Sequence, residues 1–369
     1  MNETLLIWIV FILAFGGMVL IHEFGHYIVA RLCKIEVEEF GIGLPTPGAL
    51  TLFTWQGTRF TLNWLPLGGF VRPKGENDPN VPGGLAAASP WKRLAVLVAG
   101  PFMNLLTAVV IYSIIFAQVG VPDGNRVLIS SVVPEGPAAQ AGLQAGDILI
   151  SGNGRRIHNY DELRSIVDAN EDKPVIFLVD RSGEQVQFTV TPRMNDDENR
   201  IMIGVGLGNP ITPATSLSQP LSFGARYAYY NVRLLISLPA QIIRGALPAE
   251  QARLVGLKGI FDIMEQSVAS DMEARETPAS SPTSDPFERF RTLLLVASLS
   301  ISLGIFNLFP FPALDGGRIL FVLPELIFRR RVPHQLENLV HGMGMALLLL
   351  VMIYVNVMDF VNPINFTIP

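Results

Sequence analysis

Charged residues are scarce in this chain. Lys, Arg, Asp and Glu make up 16% of its 369 residues, whereas soluble domains carry about 25%. The deficit falls in long apolar runs instead of being spread evenly, which indicates a membrane protein that carries a soluble module. The net charge of -5 gives no sign of nucleic-acid binding, so we expect no nucleic-acid partner.

Cysteine and histidine are almost absent as well. Cys33 is the single cysteine of the sequence, which excludes an internal disulfide and a zinc site built from cysteines. There are five histidines. A metal site in this chain must therefore draw on a small set of His, Asp and Glu side chains.

Four segments are apolar and long enough to cross a bilayer as helices: 5–30, 94–117, 292–314 and 342–358. The fourth is near the lower limit of about 17 residues. The first segment lacks the basic n-region of a signal peptide and contains the motif described below, so we expect it to be retained. The sequence thus predicts four transmembrane helices.

The distribution of Lys and Arg predicts the orientation. Seven lie in 31–93 and four in 315–341, whereas residues 1–4 and 359–369 contain none. Cytoplasmic loops hold the excess of basic residues. We therefore expect a membrane protein whose termini and 118–290 segment are extracytoplasmic.

A metal-binding motif ends the first apolar segment: His22-Glu23-Phe24-Gly25-His26. On a helix, His22 and His26 share one face, so both imidazoles can reach one ion. Glu23 lies next to the first ligand, where it can take a proton from water held by the metal. The alternatives are a chance match and a structural zinc site, which four protein ligands would close. The pattern favours a catalytic site.

Asp315 is the best candidate for a third ligand. It ends the third apolar segment, after two prolines and before two glycines. Irregular backbone at membrane depth is tolerated only where it is buried or lines a wet cavity. A helix-capping Asp is the alternative. His334 and His341 are rivals without a companion motif, and we interpret both as interfacial.

Two features could contact a substrate. Residues 49–55 and 58–64 predict a β-hairpin, which is either an interfacial hairpin or an edge that pairs with an extended peptide. Asn104 lies in the second apolar segment. A buried amide there either bonds to a neighbouring helix or faces the metal and orients substrate.

A small β-rich soluble domain is predicted at 124–195, with a turn-rich stretch at Pro134–Gly146 and an amphipathic helix at Tyr160–Asn170. Residues 221–244 are apolar with three arginines on one stripe, which predicts an interfacial helix. The Ser- and Pro-rich residues 268–286 predict a flexible linker.

The complete prediction is an α-helical membrane protein with an inserted domain. Its transmembrane core has two halves, 1–118 and 291–369, and the first half includes a membrane-associated β-hairpin region at 36–75. An extracytoplasmic α+β domain is inserted at 124–195, and amphipathic interfacial helices with the linker occupy 196–290.

Three motifs resemble the bacterial site-2 proteases, and most closely the RseP-like type. They are His22–His26, Gly100-Pro-Phe-Met-Asn104 and Asn307–Gly317, in that order, with a PDZ-like domain between the second and the third. The resemblance covers nearly the whole chain. That family consists of zinc-dependent intramembrane metalloproteases, and the resemblance implies a location in the bacterial cytoplasmic (inner) membrane.

The resemblance implies a role for each motif residue. One zinc ion is bound, Glu23 is the catalytic acid and base, and the 49–64 hairpin is a re-entrant substrate-binding element. The implied zinc ligands are His22, His26 and Asp315, and the implied substrate contacts are Asn104 and Asn307. The implied substrate is the transmembrane segment of a single-span protein, an anti-sigma factor or a signal-peptide remnant, in regulated intramembrane proteolysis.

The chain also departs from that family. It has one PDZ-like domain where the RseP type has two, Ser302 stands where some members have a second Asn, and Leu257 stands where Pro is expected. A non-proteolytic membrane PDZ adaptor or a metal-handling protein is the alternative function. Glu23 argues against both, because neither needs a base beside the first ligand.

Overall fold

The computed structural model describes residues 3–195, 200–245, 254–276 and 286–362. Its helices are α1 (Glu3–Leu32), α2 (Pro90–Val119), α3 (Pro137–Ala141), α4 (Tyr160–Asp168), α5 (Ser218–Ile243), α6 (Leu257–Glu276), α7 (Arg291–Asn307), α8 (Asp315–Phe328) and α9 (His334–Val361). Its strands are β1 (Val37–Leu44), β2 (Leu50–Trp55), β3 (Thr58–Leu62), β4 (Leu65–Pro73), β5 (Val121–Pro122), β6 (Val127–Val132), β7 (Ile148–Gly152), β8 (Arg155–Arg156), β9 (Val175–Arg181), β10 (Glu184–Val190), β11 (Arg193–Asn195), β12 (Arg200–Met202), β13 (Val205–Gly208) and β14 (Ile211–Thr212).

Four of the described helices have the length and apolar composition of membrane spans: Thr4–Leu32, Pro90–Val119, Glu288–Asn307 and His334–Val361. They overlap the four segments predicted from the sequence, although the fourth helix begins at His334 instead of residue 342. The third differs at its end, because α7 stops at Asn307 instead of continuing to 314. Pro310 and Pro312 follow, and proline cannot supply the N–H group that an α-helix needs.

Helix α8 occupies the first part of the segment predicted as a loop between the third and fourth spans. It begins at Asp315, and the two glycines that follow are buried. A Cβ on Gly316 would collide with the carbonyl of Phe309, and one on Gly317 with that of Phe311. The glycines therefore let the turn at 308–314 fold closely over the start of α8.

The chain folds as two compact units. The first runs to Ile114 and resumes in Leu221–Glu276 and from Glu288 onward; the second is Ile115–Pro220 with a short segment that ends at Phe287. All residues of the three motifs lie in the first unit.

A four-stranded sheet in the first unit has the order β2-β3-β1-β4. β1 is parallel to β3 and antiparallel to β4, and β2 and β3 form the predicted hairpin. The parts of the 36–75 region on either side of the predicted hairpin form β1 and β4, and both strands contain glycines. Gly41 lies against the ring of Phe70, and a Cβ on Gly69 would lie 2.8 Å from Leu20 of α1. These glycines give neighbouring side chains the room they need.

A buried cluster joins α1 and the sheet to the start of α2. Its members are Tyr27, Ala30, Ile35, Val37, Phe40, Leu85 and Val96. Strand β2 at the far edge is exposed along its whole length and carries Leu50, Phe53 and Trp55. Its association with the membrane remains a prediction.

The second unit contains a sheet in the order β10-β9-β7-β6-β13, with β8 paired to β7. Its buried core includes Ile129, Leu149, Phe177 and Leu163 of α4. β13 pairs antiparallel with β6. The folded unit therefore continues beyond the predicted boundary at 195.

The predicted linker 268–286 is partly helical. Residues up to Glu276 belong to α6, and 277–285 lie outside the described residues. Asp271 of α6 accepts hydrogen bonds from the backbone N–H groups of Arg291 (2.7 Å) and Thr292 (3.2 Å) at the start of α7. Asp271, which lies within the predicted linker, thus caps the start of α7.

Candidate metal centre

Helix α1 brings the two histidines of the motif together. His22 and His26 are one turn apart, and their Nε2 atoms are separated by 3.1 Å. Both residues are buried, with 6% and 9% of their surface exposed. The helical spacing predicted from the sequence is therefore realised, with both imidazoles directed at one point.

Asp315, the first residue of helix α8, lies at the same point. Its Oδ2 lies 3.1 Å from His22 Nε2 and 3.4 Å from His26 Nε2. In the described part of the chain, this trio is the cluster of His, Cys, Asp or Glu side chains whose ligand atoms converge for one ion. His341, a rival in the sequence, instead accepts a hydrogen bond from Ala313.

The three side chains fit a zinc ion. Zinc binds His nitrogen and carboxylate oxygen at about 2.0–2.2 Å in tetrahedral geometry, which separates the ligand atoms by roughly 3.3–3.6 Å. The separations of 3.1–3.4 Å here are close to that spacing. Asp315 Oδ2 is buried and lacks a hydrogen-bond partner among the described residues. A cation would remove the cost of that unsatisfied oxygen, and three ligands leave the open position typical of catalytic zinc.

Helix α2 holds both imidazoles from behind. His26 Nδ1 lies 2.7 Å from the carbonyl oxygen of Val96. A carbonyl oxygen only accepts, so Nδ1 carries a proton, and in the neutral imidazole Nε2 then presents a lone pair. This is the tautomer that a metal ligand requires.

Asn104 occupies the corresponding position behind His22. It is fully buried, and its amide nitrogen lies 3.2 Å from His22 Nδ1. Rotating the amide by half a turn would present Oδ1, which has no partner in the described structure, to a protonated Nδ1 and free Nε2 for a metal. Asn104 is absent from the cavity lining. Its geometry thus supports orientation of His22, and its contact with substrate remains a prediction.

Glu23 is held by the sheet. The backbone N–H of Val71 in β4 donates to Glu23 Oε2 over 3.0 Å. This N–H bonds a side chain of α1 instead of the neighbouring strand β1, and β4 is an edge strand of the sheet. The outer edge of β4 thus faces the candidate base.

One cavity of about 310 Å³ contains the candidate site. The predicted residues that line it are His22, Glu23, His26, Asn307 and Asp315. Asn307 is therefore placed where it could contact a substrate, although that role remains a prediction. Phe70, Val71 and Pro73 of β4 line the cavity as well.

Two features of the site are not predicted from the sequence. Arg318 Nη2 and Glu76 Oε1 form an ion pair over 3.0 Å, and both residues line the cavity. Gly100 lies where a Cβ would collide with His26 Nε2 and approach His22 Nε2 to 2.8 Å. The glycine of the Gly100–Asn104 motif is thus needed for space, which only the packing of α2 against α1 reveals.

Comparisons with known proteins identify the family of this chain. A family model described as peptidase family M50 matches residues 10–351. "Putative zinc metalloprotease CPE1693" of Clostridium perfringens is 31% identical over 354 residues, covering 96% of this chain and 98% of the relative. "Putative zinc metalloprotease Cj1068" of Campylobacter jejuni is 32% identical over 367 residues, covering 94% and 91%.

"Metalloprotease MmpA" of Caulobacter vibrioides is 28% identical over 371 residues and covers 91% of each chain. A solved PDZ domain of an SdrC-like protein from Listeria monocytogenes matches 23% of this chain and 87% of its own, at 23% identity and a TM-score of 0.21. The PDZ-like interpretation of the second unit therefore depends on its sequence pattern and not on this match. The family match confirms the resemblance drawn from the motifs: this chain belongs to peptidase family M50.

Proposed function

We propose that this protein is a zinc-dependent endopeptidase that cleaves transmembrane segments of single-span proteins within the bilayer. One observation carries the proposal. Asp315 Oδ2 meets both imidazole Nε2 atoms in a cavity that Glu23 also lines. The relatives named as zinc metalloproteases support zinc as the metal.

His22, His26 and Asp315 would hold the ion. When bound, zinc supplies a Lewis acid that polarises the scissile carbonyl and lowers the pKa of a coordinated water toward about 7. Glu23 would accept a proton from the attacking water at its carboxylate and return that proton to the leaving amine. The Val71 N–H fixes one oxygen of the Glu23 carboxylate, which orients the side chain for both transfers.

Strand β4 is the proposed substrate-binding edge. The backbone carbonyls of a helical substrate accept hydrogen bonds within the helix, so the substrate must unwind before cleavage. Strand addition would replace those bonds. β4 is an edge of the sheet, and its residues Phe70 and Val71 line the cavity, whereas the 49–64 hairpin lies on the other side of β1. We therefore assign strand addition to β4 instead of the hairpin.

The second unit is proposed to be an extracytoplasmic PDZ-like domain that excludes untrimmed substrates. An anti-sigma factor or a signal-peptide remnant that has lost its ectodomain would fit this arrangement. Deletion of residues 124–208 in the full-length protein should then allow cleavage of an untrimmed substrate. If the deletion variant still cut only the trimmed form, the second unit would have no gating role.

The activity is tested with purified protein and a model single-span substrate. Wild type should cleave it, and a chelator should abolish cleavage. Glu23→Gln should retain zinc and lose cleavage, while Glu38→Gln, an exposed glutamate of β1, serves as the matched control and should cleave normally. Cleavage by Glu23→Gln at the wild-type rate would refute the assignment, and zinc binding without cleavage by wild type would favour the metal-handling alternative.

A further inference from the structure

The turn that precedes Asp315 contains a strained residue. Ala313 has a φ of +79°, a conformation that non-glycine residues rarely adopt. Such a residue persists only where its surroundings hold it in place. Ala313 is two residues before Asp315 and lines the same cavity, so a change in its backbone would redirect the Asp315 carboxylate.

Helix α9 contacts this turn at two positions on one face. His341 Nδ1 accepts a hydrogen bond from the backbone N–H of Ala313 over 2.9 Å. Gly344, three residues later, packs so closely on the turn that a Cβ there would lie 2.7 Å from the carbonyl oxygen of Pro312. The fourth span thus touches the backbone on both sides of the bond between Pro312 and Ala313.

The hydrogen bonding of His341 is unusual for a side chain that only fills space in the packing. A backbone N–H only donates, so Nδ1 is the acceptor and the proton is on Nε2. That Nε2 is buried and has no partner among the described residues. An unsatisfied buried donor is costly, and an apolar side chain would avoid the cost. The bond to Ala313 is the feature that an apolar residue could not supply.

We propose that His341 is a positioning residue for the metal centre. It holds Ala313 in its left-handed conformation, and through that turn it fixes the first residue of α8 where Asp315 meets His22 and His26. The ring of Phe321 in α8 packs against His341, with ring centroids 5.4 Å apart, and keeps the imidazole directed at the turn. This inference depends on the proposed role of Asp315 as a ligand.

The test measures zinc affinity of the purified full-length protein by competition with a chelator. His341→Leu and His341→Phe remove the acceptor, and we expect zinc to bind about 10- to 100-fold more weakly, the usual effect of losing a group that supports a ligand. His341→Asn keeps a short acceptor and should restore affinity to within about threefold of wild type, as a supporting hydrogen bond requires. His334→Leu, on the first residue of the same helix, is the matched control and should match wild type.

Cobalt replaces zinc in a parallel measurement of ligand geometry. The visible spectrum of the cobalt protein should change in His341→Leu and return in His341→Asn, a pattern that a loss of packing alone would not give. Equal affinity and spectra for wild type, His341→Leu and His341→Phe would overturn the inference. Asp315→Ala separates the two proposals: if it binds zinc normally, the ligand assignment itself fails, and if it loses zinc while both His341 variants are normal, only the role of His341 is wrong.

Discussion

The Nδ1 atom of His26 donates to the carbonyl oxygen of Val96 over 2.7 Å, which ties the second imidazole of α1 to α2. The helices approach closely there, because a Cβ on Gly25 would lie 2.5 Å from the carbonyl oxygen of Ala99. Asn104 lies behind the other imidazole on the same helix. Helix α2 is therefore the support that sets the direction of both candidate zinc ligands, and its contacts lead to the first prediction.

Gly100→Ala should abolish zinc binding while the protein stays folded. The new methyl group would occupy the space in front of His26 Nε2 and lie 2.8 Å from His22 Nε2. Gly17→Ala, on α1 where a Cβ meets nothing within 4 Å, is the control. It should keep zinc and gain about 0.5–1 kcal/mol of stability. Zinc content and thermal unfolding of both variants check this prediction, and normal zinc binding by Gly100→Ala would contradict it.

Glu325→Gln should destabilise the first unit. Arg93 Nη1 and Glu325 Oε2 are 2.7 Å apart and join α2 to α8, with side chains only 6% and 20% exposed. Removing one partner leaves a buried guanidinium unpaired, which we expect to cost about 2–4 kcal/mol. The exposed pair of Arg164 and Asp168 offers a control, because Arg164→Gln should cost less than about 1 kcal/mol.

The melting temperature in detergent distinguishes these two variants. A fall for Glu325→Gln that is no larger than the fall for Arg164→Gln would show that α8 is held by packing alone.

Asp359→Ala should loosen α6 from α9. The Asp359 carboxylate is almost fully buried, and its Oδ2 accepts from the backbone N–H groups of Gly256 (2.8 Å) and Gly259 (3.1 Å). Loss of both bonds leaves donors unsatisfied at the start of α6, at a cost of about 2–4 kcal/mol. Asn356 accepts one bond, from Leu257, so Asn356→Ala should cost about 1 kcal/mol. Hydrogen exchange of α6 should rise more in Asp359→Ala, and an equal rise in both variants would argue against the cap.

Val71→Pro should impair catalysis more than zinc binding. Proline removes the N–H group that bonds Glu23 Oε2, and none of the zinc ligands is altered. We expect a fall in kcat of about 10- to 100-fold, since an orienting hydrogen bond to the base is lost. Val81→Pro, in the loop after β4, tests the general effect of a new proline, and it should leave kcat near wild type.

Cleavage rate and zinc content, measured on the same preparations, decide the Val71 prediction. Loss of zinc in parallel with activity would show that β4 supports the ligands instead of the base.

The sequence predicted which ligand residues meet at the site better than it predicted the backbone around them. The His pair follows from helical spacing, and Asp315 follows from a carboxylate after a broken apolar helix, so local pattern suffices for both. The role of Asn104 behind His22 depends on how α2 packs against α1, which spacing cannot show. The sequence does not predict strands β1 and β4, because glycines usually mark turns. Here the glycines make room for Phe70 and Leu20.

The end of α7 and the start of α8 also show the difference between what the local sequence predicts and what depends on packing. The apolar composition continues to residue 314, but α7 ends at Asn307, before Pro310 and Pro312. The segment after Asp315 is predicted as a loop, yet its two glycines lie in the first turn of α8, where the preceding backbone packs directly against them. Backbone contacts of this kind leave no periodic pattern in the sequence, so sequence alone does not predict them.

The central claim is that His22, His26 and Asp315 hold one zinc ion, and the zinc content of purified protein tests it most directly. Wild type should contain about one zinc per chain after dialysis, as should Asp262→Ala, an acidic control on α6. His22→Ala and Asp315→Ala should contain almost none, because two remaining ligands do not retain a catalytic zinc. A full zinc equivalent in Asp315→Ala would contradict the account.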